Sequence, residues 1–79
     1  MGGTAAEPRY NGRMQITLNG DARDCAPGTS VLALLDAAGY GGKRVAVEVN
    51  LEIVPRSAHA THVLAEGDRV EIVHAIGGG

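Results

Sequence analysis

The sequence predicts an α+β fold in which one main helix packs across a mixed sheet of four to five strands. Three observations carry that expectation. Several short segments alternate apolar and polar residues at the period of a half-buried strand, one segment has the period of a helix, and Gly, Asn and Pro signals punctuate the joins. A helix and strands with single apolar faces bury them most economically against one another, in two layers around one core.

The elements follow in chain order. Met14-Gln15-Ile16-Thr17-Leu18 places Met14, Ile16 and Leu18 on one face, and Asn19-Gly20 suits a tight hairpin turn with positive φ. The return strand is expected at 22–26, with Cys25 filling core volume. Pro27-Gly28-Thr29-Ser30 turns the chain, and Ser30 or Thr29 caps a helix whose Val31, Leu34, Leu35 and Ala38 fall on one stripe. Gly39 ends it, and Tyr40-Gly41-Gly42-Lys43 reads as a loop. Residues 44–50 alternate again, with Val45, Val47 and Val49 on one face. Asn50-Leu51-Glu52 turns into the short segment Ile53-Val54, which Pro55 stops by removing a ladder donor. A brief helical turn is expected within 57–62 and a tight turn at Glu66-Gly67-Asp68. The last strand, 69–75, points Val70 and Ile72 inward and Glu71 and Val73 outward.

The 79 residues leave room for a single domain. A chain this short buries only about 60% of its unfolded surface, too little to fold and also enclose a large substrate. A small carrier or binding module is the expectation. The formal charge of −2, with two Tyr and no Phe or Trp, argues against nucleic-acid binding. One Cys forms no internal disulfide. Absence of a long apolar run or a secretory signal pattern leads to a cytoplasmic expectation with no membrane contact.

Residues 1–13 lack any face to bury and read as a disordered leader or cloning remnant. Residues 14–76 form the expected domain, with five basic and eight acidic side chains in 14–79, a formal −3. Gly77, Gly78 and Gly79 read as a mobile tail, because glycine retains the greatest backbone freedom and has no side chain to pack.

Asn50-Leu51-Glu52-Ile53-Val54-Pro55-Arg56, then Gly67-Asp68-Arg69-Val70-Glu71-Ile72-Val73, then Ile76-Gly77-Gly78-Gly79, resemble the ThiS family of sulfur carriers in thiamin biosynthesis. The element order with its terminal glycines likewise resembles the ubiquitin-like β-grasp fold. The combination covers 14–79, and each piece alone is weak. It departs mildly from the family pattern, in the leader and in a third Gly before the usual pair. The resemblance implies a protein co-substrate rather than an enzyme. A ThiF-type enzyme, using ATP and Mg²⁺, adenylates the Gly79 carboxylate, a donor such as a cysteine desulfurase supplies sulfur, and the thiocarboxylate serves thiazole synthase, ThiG. No cofactor is expected on the carrier, which is expected to be a monomer alone. Gly78 and Gly79 form the reactive position because a Cβ there would widen a segment that must thread into another active site.

Sheet alternation suggests where such partners dock. Val73, Ala75 and Ile76 lead into the tail, and one of Ile53 and Val54 must point away from the helix side. Outward apolar residues mark a partner site when contiguous, and Arg56 and Arg69 are candidate rim charges.

The remaining chemistry-bearing residues have simpler readings. His59 and His62 lack the further ligands a metal needs and read as solvated surface, so no metal site is expected. His74 reads as a hydrogen-bonded structural residue on the inward side of the last strand, and Cys25 as inert core. Gly41-Gly42-Lys43 fails as a phosphate loop, because Ala37 stands where the first Gly is required and Arg44 where Ser or Thr is required. Three other functions compete: a MoaD-like small subunit of molybdopterin synthase, a ubiquitin-like protein modifier, and an interaction module with an inert tail.

Overall fold

The computed structural model describes residues 13–74. Residues 1–12 of the expected leader, Ala75, Ile76 and the glycines 77–79 lie outside them. Five strands, one α-helix and one 3₁₀ turn follow in the order β1 (Met14–Leu18), β2 (Asp21–Cys25), α1 (Val31–Ala37), β3 (Val45–Val49), β4 (Glu52–Val54), the 3₁₀ turn (Arg56–Ala58) and β5 (Arg69–His74). The sheet order is β2-β1-β5-β3-β4. β1 and β5 run parallel at its centre, through Thr17↔Arg69 and Leu18↔Val70, and the other pairs are antiparallel.

Both hairpins turn on two residues with positive φ. Asn19 and Gly20 have φ of 51° and 90°, the geometry that matches strand twist, so β2 starts at once at Asp21 rather than at Ala22. Asn50 and Leu51 have φ of 53° and 72°. A leucine there is strained, because its Cβ crowds the following carbonyl oxygen.

The seven-residue helix α1 is too short to persist on propensity, yet every amide of its first turn is satisfied. Val31 N donates to His62 O at 2.9 Å and Leu32 N to His59 O at 2.8 Å. Ala33 N donates to the Ser30 hydroxyl at 3.0 Å, and Leu34 N to Ser30 O at 3.0 Å. The segment after the 3₁₀ turn therefore caps the helix from outside the helix sequence. Gly39, at φ 93°, then closes the C-terminal end as expected.

The core is one cluster. Ile16, Val31, Leu34, Val47 and Val70 are fully buried, with Leu35, Val49, Val54, Leu64 and Ile72 around them. Each fully buried side chain contributes roughly 1.5–3 kcal/mol by leaving water, and these contacts hold α1 against the sheet. Ala38 of the expected stripe is only half-buried.

Two readings of histidine are corrected here. His59 is 6% exposed, not solvated, and its Nε2 lies 3.1 Å from Val54 O. A carbonyl only accepts, so Nε2 carries the proton. His74 is exposed and packs edge-on against Tyr40, ring centroids 5.7 Å apart, in place of the expected hydrogen bond.

Candidate functional site

The central strand β5 fixes where the chain leaves the sheet. β3 pairs with it along Val45↔His74, Ala46↔Val73, Val47↔Ile72, Glu48↔Glu71 and Val49↔Val70. On its other side, Asn19 extends the parallel ladder: its amide donates to Val70 O at 2.9 Å, and its side-chain oxygen accepts from Ile72 N at 2.7 Å. A strand held from both flanks delivers its last described residue, His74, at a fixed position. The candidate reactive residues Gly78 and Gly79, together with Gly77, Ala75 and Ile76, follow outside the described residues.

The loop before β5 is tied as firmly. The Asp68 carboxylate accepts from Ala65 N at 2.8 Å and from the Asn50 side-chain amide at 3.0 Å, and the Asn50 carbonyl oxygen accepts from Arg69 N at 3.0 Å. Asn50 and Asp68, from two of the three stretches that carry the family resemblance, are thus one hydrogen-bonded clamp. Periodicity reads them only as turn residues, because a side chain bridging two distant turns leaves no periodic signal.

The sheet face opposite α1 presents Val73 and Ile53, 61% and 66% exposed. Ala46 is Val73's cross-strand neighbour, and Glu48 stands between Ile53 and Glu71. Of the Ile53 and Val54 pair, Ile53 is the outward residue. Val54 is withdrawn as a partner contact, because strand alternation drives it into the core, 6% exposed. Arg69 shares the outer face, opposite Thr17 of β1. Arg56 is placed elsewhere: it lines a cleft on the helix side with Leu35, Tyr40, Lys43, Arg44 and His59, so the two arginines do not rim one surface. Glu48↔Glu71, a direct pairing of like charges, is a feature the sequence reading missed.

Cys25 is half-buried against the core. Burial pushes its thiol above the ordinary 9.0, against smaller opposing effects of the Thr29 hydroxyl and nearby Arg23 and Arg13. A protonated thiol is a poor nucleophile. Among the described residues, no group of three or more His, Cys, Asp and Glu gathers as a metal site. No helix among them is long and apolar enough to cross a membrane.

A single helix across a mixed five-stranded sheet, with a parallel central pair whose last strand runs out to terminal glycines, defines a β-grasp domain of the ubiquitin-like kind. Comparison with known proteins narrows the class. The ThiS family model matches residues 16–79. The sulfur carrier protein ThiS of Escherichia coli is 36% identical over 66 residues, 84% of this chain and 100% of that protein. A crystal structure of the thiamine biosynthesis protein ThiS from Geobacter metallireducens superposes with a TM-score of 0.73 at 33% identity, covering 84% of this chain and 100% of that one. A thiazole synthase of Paramagnetospirillum magneticum is 46% identical over 66 residues, and there the match spans 84% of this chain but 20% of the relative's length. The chain belongs to the ThiS family.

Proposed function

We propose that this chain is a sulfur carrier for thiazole formation in thiamin biosynthesis, a co-substrate whose C-terminal glycine is the reacting group. The supporting observation is positional: the doubly flanked strand β5 leads directly into Ala75-Ile76-Gly77-Gly78-Gly79, beside an outward face bearing Val73 and Ile53.

A carboxylate is a poor acyl donor because oxide is a prohibitive leaving group. In the proposed sequence the Gly79 carboxylate oxygen attacks the α-phosphorus of ATP on a ThiF-type enzyme, and pyrophosphate departs. A sulfur nucleophile, supplied through a donor such as a cysteine desulfurase, then attacks the acyl carbon and AMP leaves with its bonding electron pair. Where that nucleophile is a persulfide on the donor, the product is an acyl disulfide, and a second thiol attacks the donor's sulfur, is oxidised to a disulfide with it, and expels the carrier's thiocarboxylate, whose anionic sulfur is delivered to thiazole synthase. The partner enzyme supplies Mg²⁺, phosphate contacts and alignment, which is where catalysis of such a step resides. The carrier's own residues present the acyl group and dock. Ile53 and Val73 supply apolar contact, Arg69 a rim charge, and the Glu48/Glu71 pair a match for a basic partner side chain.

The family match within a thiazole synthase relative supports this partner assignment, since there a ThiS-like segment and the synthase belong to one polypeptide. The test is ATP–pyrophosphate exchange by a ThiF-type enzyme. Exchange should require this chain and be slowed by Gly78→Ala and by Gly79→Ala, with the circular dichroism of both variants unchanged. Equal exchange with both variants contradicts the reading.

A further inference from the structure

We propose that the cleft between α1, the Tyr40–Arg44 loop and the 3₁₀ turn is a second docking site, which takes an acidic peptide segment with apolar anchors from a partner protein. The cleft has a volume of about 400 Å³. Its walls combine two chemistries. Leu32, Leu35, Val45 and Ala60 give an apolar floor, and Leu32 is 45% exposed although it belongs to the helix that packs on the core. Lys43, Arg44 and Arg56 bring three cations to the same opening.

That concentration is the central fact. Residues 14–79 are acidic overall and hold five basic side chains, yet three of the five line this one cleft. Among the described residues none of the three makes a hydrogen bond or ion pair with a carboxylate. The acid beside the loop, Asp36, has its carboxylate against Gly41. Unpaired cations gathered above an apolar floor complement carboxylates spaced along an apolar segment. His59 completes the lining. Its Nε2–H donates to Val54 O, which fixes the ring in the cleft wall.

A small phosphate-type anion fits less well. Phosphate cradles draw on free amides at a helix N-terminus, and here all four are committed, to His62 O, His59 O, the Ser30 hydroxyl and Ser30 O. Such an ion would also leave the apolar floor wet. The cleft lies on the helix side, away from the outer sheet face bearing Ile53 and Val73, and its assignment does not rest on the carrier reading.

The test is a ¹⁵N–¹H titration of the full chain with a capped hexapeptide of alternating glutamate and leucine, at an ionic strength of about 0.1 M, where surface attraction is not fully screened. Saturable shifts are expected at Leu32, Tyr40, Gly42, Arg56 and Ala60. The double variant K43E/R56E should weaken binding by at least about tenfold, and glutamine in place of the peptide's glutamates should do the same. The milder K43Q/R56Q pair should weaken it in the same direction, and spectral dispersion reports that both variants are folded. Absence of saturable shifts, shifts centred on Glu71 and Val73, or full competition by equimolar inorganic phosphate overturns the proposal. Removal of 77–79 that alone reproduces the cleft shifts also overturns it, by assigning the cleft to the chain's own terminus.

Discussion

The Asn50 side-chain amide donates to the Asp68 carboxylate at 3.0 Å, while its carbonyl oxygen accepts from the Arg69 backbone at 3.0 Å. The tip of the β3–β4 hairpin is thereby bonded to the loop that launches the central strand. Hydrogen bonds to a charged group contribute about 1.5–3 kcal/mol each, and coupled groups deviate from additivity by amounts of the same order. A double-mutant cycle of Asn50→Gly, which keeps the positive φ, and Asp68→Ala should therefore show a coupling of about 1 kcal/mol or more in urea unfolding. Additive losses would mean that the clamp is incidental.

Leu51 is strained and serves no packing role. Its φ is 72° and it is 72% exposed. Replacing it with glycine removes the left-handed penalty, about 1–2 kcal/mol, at a smaller cost in unfolded-chain entropy. Leu51→Gly should raise stability by roughly 0.5–1 kcal/mol, seen as a higher Tm. A lower Tm would show that the exposed side chain makes stabilising contacts.

Glu48 and Glu71 oppose each other directly across β3 and β5. Like charges so placed destabilise a sheet by roughly 0.2–1 kcal/mol. Glu71→Gln should therefore stabilise the free protein while raising the KM of a ThiF-type enzyme for it, because the docking face loses one of the charges proposed to meet a basic side chain. A variant that is stabilised with KM unchanged removes the carboxylate pair from the docking account.

Cys25 yields a pH prediction. Its thiol is held above the ordinary 9.0 chiefly by burial, so folding favours the protonated form. The associated stabilisation is complete below the unfolded value and is lost as pH rises through the higher folded one. Alkylation at pH 8 should accordingly be slower in the native protein than in the urea-unfolded chain. Faster native alkylation would show an activated thiol.

The legible part of the fold was the part governed by local chemistry. Met14-Gln15-Ile16-Thr17-Leu18 and the Val45, Val47, Val49 face follow from residue spacing alone, Asn19-Gly20 announces its own turn, and the cap was narrowed to Ser30 or Thr29, of which the structure selects Ser30. What escaped depends on residues distant in sequence. His59 and His62 read as solvated surface because nothing nearby shows that their carbonyls cap α1 and that the His59 ring lies against Val54 O. Alternation said that one of Ile53 and Val54 is outward without saying which. Only the register against β3 places Ile53 beside Glu48 and sends Val54 to the core. Arg56 follows Pro55 and seemed fit to rim the outer face, but the chain turns there and carries it to the helix side. The glycines of the candidate reactive site stand out in the sequence through the family resemblance, they lie outside the described residues, and the role proposed for them rests on chemistry done by another protein.

That chemistry leaves a direct signature in mass. The protein is incubated with ATP, Mg²⁺, a ThiF-type enzyme and a sulfur source, and its intact mass is recorded. The account predicts a gain of roughly 16 Da, one oxygen exchanged for sulfur at the reacting atom, carried by the C-terminal fragment on cleavage and absent without ATP. An unchanged mass with an adenylating enzyme proven active on another carrier, or a gain located away from Gly79, would contradict it.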